Sequence, residues 1–260
     1  MRDIARQLRN DFTTLPALVD EYVVHTPRSE AIKAARQVAG VTHYLSLMAT
    51  GDVDMHKCAQ FGVLIVCIDE VTDELGRELC PTPITDALLG SPPFASLRVV
   101  GAANDRAENS EFAFAVKEIC RAQDDSLAQL DDIDVDEVMR ITRAKGGWSA
   151  EANLKMVKQE VTDEEREFIA EFGFLMQMLD DYLDQPKDRA NGLSTPFTVG
   201  EWDGAQLSAL IDITERDARR VWGRTDAGDR FFDICRLHKR LGDVENNTRL
   251  SASTLAPGYL

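Results

Sequence analysis

Apolar residues recur along this chain with the three-to-four-residue spacing of a helix almost throughout, while alternating β-branched runs bounded by turns are scarce. That pattern predicts an all-α protein. The spacing predicts helices over Arg2–Phe12, Ser29–Ala49, Asp54–Leu75, Ser110–Leu130, Asp134–Lys145 continuing to Gln159, Asp163–Asp184, Gly204–Arg224 and Gly228–Leu241. Capping chemistry marks several starts: Ser29 precedes Glu30, Asp134 stands three residues before Glu137, and Thr162 three before Glu165. Gly146-Gly147 is expected to bend or interrupt its helix. Breaks are expected at Pro81–Pro83, Ser91–Pro93, Gly101–Asn109 and Gln185–Pro196. No internal repeat and no clear linker appears. The 260 residues therefore read as one helical domain over residues 1–250, with an irregular tail over 251–260.

Two of these segments end alike. FGVLIVCIDEVTDE at Phe61–Glu74 and FGFLMQMLDDYLD at Phe172–Asp184 each run from core-like apolar residues into a cluster of acids. Residues four apart share a helix face, so Asp69 with Asp73, and Asp180 with Asp184, each present a carboxylate pair. Like charges at that spacing repel, and beside an apolar core an unpaired carboxylate is costly unless a cation compensates it. Two such pairs on facing helices would bind a divalent metal. Oxygen-only donors favour Mg²⁺, which commonly takes one or two carboxylates and completes its shell with substrate phosphate. A diphosphate ester is the natural bridging ligand, and the alternative is a pair of solvated helix faces in an acidic protein.

Charge and cysteine usage narrow the field. Against 29 basic residues stand 45 acidic ones, a net charge of −16, which argues against broad nucleic-acid or anionic-membrane binding. The longest apolar run, around Val63–Ile68, is far too short to span a bilayer, and the N-terminus has no apolar targeting core, so a soluble cytoplasmic protein is expected. Cys58, Cys67, Cys80, Cys120 and Cys235 are odd in number and without CxxC spacing, so buried reduced thiols are expected rather than a zinc site or a disulfide framework. His25, His43, His56 and His238 form no metal array, and no nucleophile elbow, P-loop or GxGxxG occurs. Phe231 and Phe232 read as packing, Trp148 and Trp202 as cavity or core. Gln123, Asp124 and Asp125 read equally as a polar helix face or as part of the site.

Together the acidic motifs resemble those of the trans-isoprenyl diphosphate synthases, within the wider class I isoprenoid synthase fold. DEVTD at Asp69–Asp73 is similar to the family's DDxxD, with Glu70 at its second position. DDYLD at Asp180–Asp184, with Gln177 three residues ahead, matches FQxxDDxLD more closely. RITRAKGG at Arg140–Gly147 falls where the family has a lysine-threonine pair, with Lys145 as the lysine and Gly146 in place of the threonine. STPF at Ser194–Phe197 resembles the TLP that follows the second motif. The upstream GKxxRP segment has no counterpart in TPRSEAIKAARQ, and the paired arginines after the first motif reduce to Arg77.

What the resemblance implies is a helical bundle of the isoprenoid synthase type around a central apolar cavity, commonly a homodimer. It implies Mg²⁺ held by Asp69, Asp73, Asp180, Asp181 and Asp184, and an allylic isoprenyl diphosphate bound with help from Arg77, Lys145 and Lys187. Lys145 and Gln177 would assist the chemistry. Phe61, Leu64 and Ile65 would line the cavity that keeps water from a carbocation, their other reading being ordinary core. The acceptor would be isopentenyl diphosphate or another alkene. A class I terpene cyclase, or a non-catalytic homologue acting as a binding or partner subunit, are the other readings left open by the missing segment.

Overall fold

The computed structural model describes residues 14–20, 29–75, 110–131, 133–158 and 160–254; within these, the side chains of 29–31, 67, 70–75, 110, 113 and 247–254 lie outside the description. Every regular element among the described residues is helical. After a short helical stretch at 14–20 come α1 (Ser29–Thr50), α2 (Met55–Leu75), α3 (Ser110–Ser126), a 3₁₀ turn (Leu127–Leu130), α4 (Val135–Val157), α5 (Asp163–Asn191), α6 (Gly204–Trp222) and α7 (Asp226–Thr254). The expected helix Arg2–Phe12 and the breaks at Pro81–Pro83, Ser91–Pro93 and Gly101–Asn109 lie outside the described residues.

The chain groups into two compact units: Met1–Asp124 with Trp148–Asp163, and Asp125–Gly147 with Glu164–Leu260. Each unit is assembled from two separate stretches, so no composition shift or linker marks the division in sequence.

In the first unit α1 packs on α2. Small residues permit the approach: Ala35 and Ala39 are fully buried, and a Cβ on Gly62 would collide with the carbonyl oxygen of Ala35. Phe61, Val63, Leu64 and Ile68 of α2 then join Leu15, Val19, Phe112, Ile119, Ala152 and Met156 in one apolar cluster. Asp54 caps α2, its Oδ1 accepting from the backbone N–H of His56 at 3.0 Å and of Lys57 at 3.2 Å. Inside, Asn153 Nδ2 donates to Thr42 Oγ1 at 3.1 Å, and the buried Lys155 ammonium pairs with Glu111.

The second unit is built around aromatic contacts on α5. Phe172 stacks on Phe231 with centroids 5.3 Å apart, and Phe168 meets Trp222 edge-on at 4.8 Å, so Phe231 and Phe232 are packing residues as the sequence suggests. Trp222 Nε1 donates to the buried carboxylate of Glu165 at 2.8 Å. α6 packs on α7 and begins with a full capping box: Asp203 Oδ1 accepts from the N–H of Gln206 at 2.9 Å, and Gln206 Oε1 accepts from the N–H of Asp203 at 2.9 Å. Replacing Asp203 by alanine should cost about 1 kcal/mol in urea denaturation, the ordinary value of such a cap.

Helix ends are where the sequence expectation fails. α4 runs unbroken through Gly146-Gly147; Gly146 serves close packing, while a Cβ on Gly147 would have its nearest neighbours 3.9 Å away. α5 continues past Asp184 to Asn191 with Pro186 inside it. Proline has no N–H to bond the carbonyl of Tyr182 one turn earlier. That carbonyl instead accepts from Asn246 Nδ2 of α7 at 3.4 Å. α7 passes Gly242 and reaches Thr254, four residues into the stretch expected to be irregular; residues 255–260 lie outside the described residues. Gly242 looks like a terminator in sequence, but the ring of Tyr182 lies where its Cβ would be, within 2.8 Å. Cys58, Cys120 and Cys235 are free, buried thiols, and burial pushes Cys120 and Cys235 up to about 12, so both stay protonated; Cys67 and Cys80 fall outside the described side chains.

Candidate active site

The acidic end of α5 is the richer of the two clusters. Its lead-in, Phe172, Phe174, Leu175, Met178 and Leu179, is buried, which fixes the helix's rotation and decides where each following acid points. Asp180 emerges to solvent, whereas Asp181, one residue on, is turned inward and only 7% exposed. Its Oδ1 accepts from Gln177 Nε2, one turn earlier, at 2.8 Å. Its Oδ2 is buried with no hydrogen-bond partner. Burial pushes the Asp181 carboxyl up to about 7, and the charges of Asp180 and Asp188 push the same way; the Gln177 hydrogen bond and the charge of Lys145 oppose them.

Gly146 explains how Lys145 comes to face these acids. A Cβ on Gly146 would collide with the carbonyl oxygen of Gly173 and lie 3.1 Å from the Cβ of Gln177, so α4 and α5 touch backbone to backbone about two turns before Asp181. The same contact accounts for the glycine standing where a threonine is expected: no side chain fits. Of the other cations in this stretch, Arg140 is bound by Glu137 and Asp125, and Arg143 bonds Glu171 while lying over the Phe174 ring at 3.9 Å. Lys145 is therefore the cation of the RITRAKGG segment whose charge acts on Asp181 and Asp188.

Asp184 is half exposed and pairs with Lys187 at 3.5 Å. Asp188 is a further member that the sequence reading missed. It is buried, one turn beyond Asp184 and seven residues after Asp181, so Gln177, Asp181, Asp184 and Asp188 share one face. Burial and the charges of Asp184 and Asp180 push its carboxyl up to about 6, against the pull of Lys187 and Lys145. The seven-residue spacing was visible in the sequence, but a helix ended at Asp184 leaves it unread. The STPF stretch following α5 is tied down as well: Ser194 and Gln129 bond reciprocally at 2.8 and 2.9 Å, and Gln185 Nε2 donates to the carbonyl of Phe197 at 2.9 Å.

The first cluster is less fully described. Asp69, near the end of α2, is exposed and accepts from Nε2 of the buried Gln123 on α3. The glutamine of the Gln123–Asp125 stretch is thus joined to the first acidic motif, while Asp125, which belongs to the second unit, accepts from Arg140 of that unit. The backbone of Asp73 is helical, but its side chain and those of Glu70 and Glu74 lie outside the described residues, as does all of Arg77. Phe61 and Leu64 are buried members of the first unit's apolar cluster, and Ile65 packs against it. Among the described residues no three His, Cys, Asp or Glu side chains converge as a preassembled metal cage. Nor is any described helix long and apolar enough to cross a membrane.

No known family's sequence profile matches the chain, and no curated protein matches it in sequence. Similarity appears in three dimensions. A geranyltransferase from Legionella pneumophila superposes with a TM-score of 0.50 at 14% identity, over 94% of this chain and 99% of its own. An FPP/GFPP synthase from Zymomonas mobilis superposes with a TM-score of 0.52 at 15% identity, over 90% of this chain and 99% of its own. With the helical order and the placement of DDYLD already described, the chain has the all-α fold of the trans-isoprenyl diphosphate synthases.

Proposed function

We propose that this chain is a Mg²⁺-dependent, prenyltransferase-like enzyme that ionises an allylic isoprenyl diphosphate and passes the prenyl group to isopentenyl diphosphate or another alkene acceptor. One observation carries the reading most: a carboxylate oxygen of Asp181, buried and without a hydrogen-bond donor, on the very helix whose motif matches the synthases. A buried acceptor left unsatisfied costs about 1–3 kcal/mol and calls for a cation or donor. The surrounding donors, Asp180, Asp184 and Asp188, are hard oxygens suited to Mg²⁺. They fit the metal, which needs no complete protein cage because substrate phosphate supplies ligands.

In this reading Asp180, Asp181 and Asp184, with Asp69 and Asp73 from the first motif, hold Mg²⁺. Bound there, Mg²⁺ supplies charge neutralisation for a departing diphosphate. Lys145 adds a fixed positive charge beside Asp181, with Lys187 and Arg77 as further diphosphate contacts. Gln177 orients the Asp181 carboxylate through its Oδ1 and leaves Oδ2 available. In the reaction the allylic C–O bond breaks with its electron pair leaving on diphosphate. The acceptor's π bond then attacks the cation, and loss of a proton restores an alkene. Phe61, Leu64 and Ile65 would keep water from the cation. The substrates are small anions, so the net charge of −16 makes local metal and lysine charge necessary for their capture. A homodimer is the assembly we propose.

A class I terpene cyclase is a second reading, favoured by the absent GKxxRP segment. Incubation with farnesyl or geranylgeranyl diphosphate and Mg²⁺, with and without isopentenyl diphosphate, separates the two. A lengthened diphosphate formed only with the co-substrate supports transfer, and a hydrocarbon or alcohol without it supports cyclisation. The Asp69→Ala, Asp180→Ala double variant should lose at least about a thousandfold in turnover, as expected when charge-stabilising groups are removed. A wild-type protein that binds neither Mg²⁺ nor diphosphate would instead be a non-catalytic homologue.

A further inference from the structure

The acidic helix α5 is broken in its hydrogen bonding at the centre of its own motif, and the surrounding structure closes on that point. Pro186 leaves the Tyr182 carbonyl without its helical donor, and Asn246 of α7 supplies one at 3.4 Å. The Tyr182 hydroxyl donates to Asp243 Oδ1 at 2.5 Å, and Lys239 Nζ donates to Asp243 Oδ2 at 2.8 Å. The ring is gripped too: it lies against Phe197 at 4.9 Å, a Cβ on Gly242 would come within 2.8 Å of it, and a Cβ on Gly204 would come within 2.7 Å of the hydroxyl oxygen. Tyr182 is thus held at backbone, ring and hydroxyl. Its neighbours along the helix are Asp181 and, two residues on, Asp184.

An α-helix that lacks one internal bond bends about that turn unless something else restrains it. Here Asp180 and Asp181 precede the broken bond, while Lys187 and Asp188 follow the proline. Any swing there changes the separation of Asp181 from Asp188.

We propose that Tyr182, Asp243 and Asn246 are positioning residues that lock the Pro186 turn of α5, so that Asp181, Asp184 and Asp188 are presented together to a divalent cation and diphosphate. The inference rests on the metal-diphosphate reading of the site. Outer partners of metal ligands commonly govern affinity by about 10- to 100-fold.

The test uses the full chain, thermal melts over a Mg²⁺ titration at fixed inorganic diphosphate, and hydrogen exchange of the amides at 183–192. Tyr182→Phe keeps the ring and loses the hydroxyl bond; Asn246→Ala frees the Tyr182 carbonyl. Both should need about tenfold more Mg²⁺ for half of the stabilisation, and their 183–192 amides should exchange faster. Lys239→Arg, which still donates to Asp243, should behave as wild type. Thr225→Ala removes a cap at the far end of α7, where Thr225 Oγ1 accepts from Gly228 N–H at 3.0 Å, and serves as the control for destabilisation alone. Unchanged Mg²⁺ midpoints in Tyr182→Phe and Asn246→Ala overturn the proposal, and so does an equal shift in Thr225→Ala. A wild type that does not respond to Mg²⁺ and diphosphate overturns the enzyme reading and this one together; a responsive wild type with unresponsive variants overturns this one alone.

Discussion

Asp181→Asn should make the metal-free protein more stable at pH 8 while removing its response to Mg²⁺. Burial holds this carboxyl at about 7 in the folded chain against an ordinary 3.8, so the folded state keeps a proton that the unfolded chain has released. The contribution is therefore most favourable below about pH 4, declines as pH rises towards 7, and is level above that. Asparagine keeps the shape and carries no charge, so its stability should not show that decline. At one pKa unit per 1.36 kcal/mol the gain at pH 8 is on the order of 2–4 kcal/mol, reduced from the full shift because neighbouring acids titrate with it. Urea denaturation at pH 4.5 and pH 8, with and without Mg²⁺ and inorganic diphosphate, checks both halves. A variant equal to wild type at pH 8, or one still stabilised by Mg²⁺, would show that Asp181 does not hold an unfavourable charge in reserve for a cation.

Gly146→Thr, which restores the residue found in the synthases' lysine-threonine pair, should be damaging. Its Cβ meets the Gly173 carbonyl, a backbone group that cannot turn aside, so α4 and α5 must separate. Overpacking of this kind costs about 1–3 kcal/mol and more where backbone must move, so we expect about 3 kcal/mol or greater. Lys145 moves with α4, and affinity for diphosphate should fall in step. Gly147→Ala is the contrast. The nearest atoms to its Cβ are 3.9 Å away, and alanine in a helix interior is favoured by about 1 kcal/mol, so that variant should be more stable than wild type. If the two substitutions behave alike, the close approach of α4 and α5 is not what selects glycine at 146.

These two cases also separate what could be read along the chain from what could not. The helical class, the two acidic helix ends and the caps at Asp54 and Asp134 depend on residues within a turn or two of one another. Their observed counterparts include the cap bonds to His56, Lys57 and Glu137. The pairing of Gln177 with Asp181 is likewise local, four residues apart on one helix.

The failures have a common origin. Gly146-Gly147, Pro186 and Gly242 each look like helix breakers when only their own segment is considered, and each is inside a helix. Each is tolerated through a partner distant in sequence: Gly173 for Gly146, Asn246 for the carbonyl freed by Pro186, and the Tyr182 ring for Gly242. Because the helix was expected to stop at Asp184, Asp188 was lost with it.

Helical periodicity and the spacing of carboxylates are properties of adjacent residues, and the sequence by itself determined them: an all-α chain with two acidic clusters that each follow an apolar helical run. Which acid is buried and lacks a donor, which cation faces it, and how far α5 extends were decided only by tertiary structure. Those outcomes depend on desolvation and on contacts between helices, and neither is present until the chain has packed.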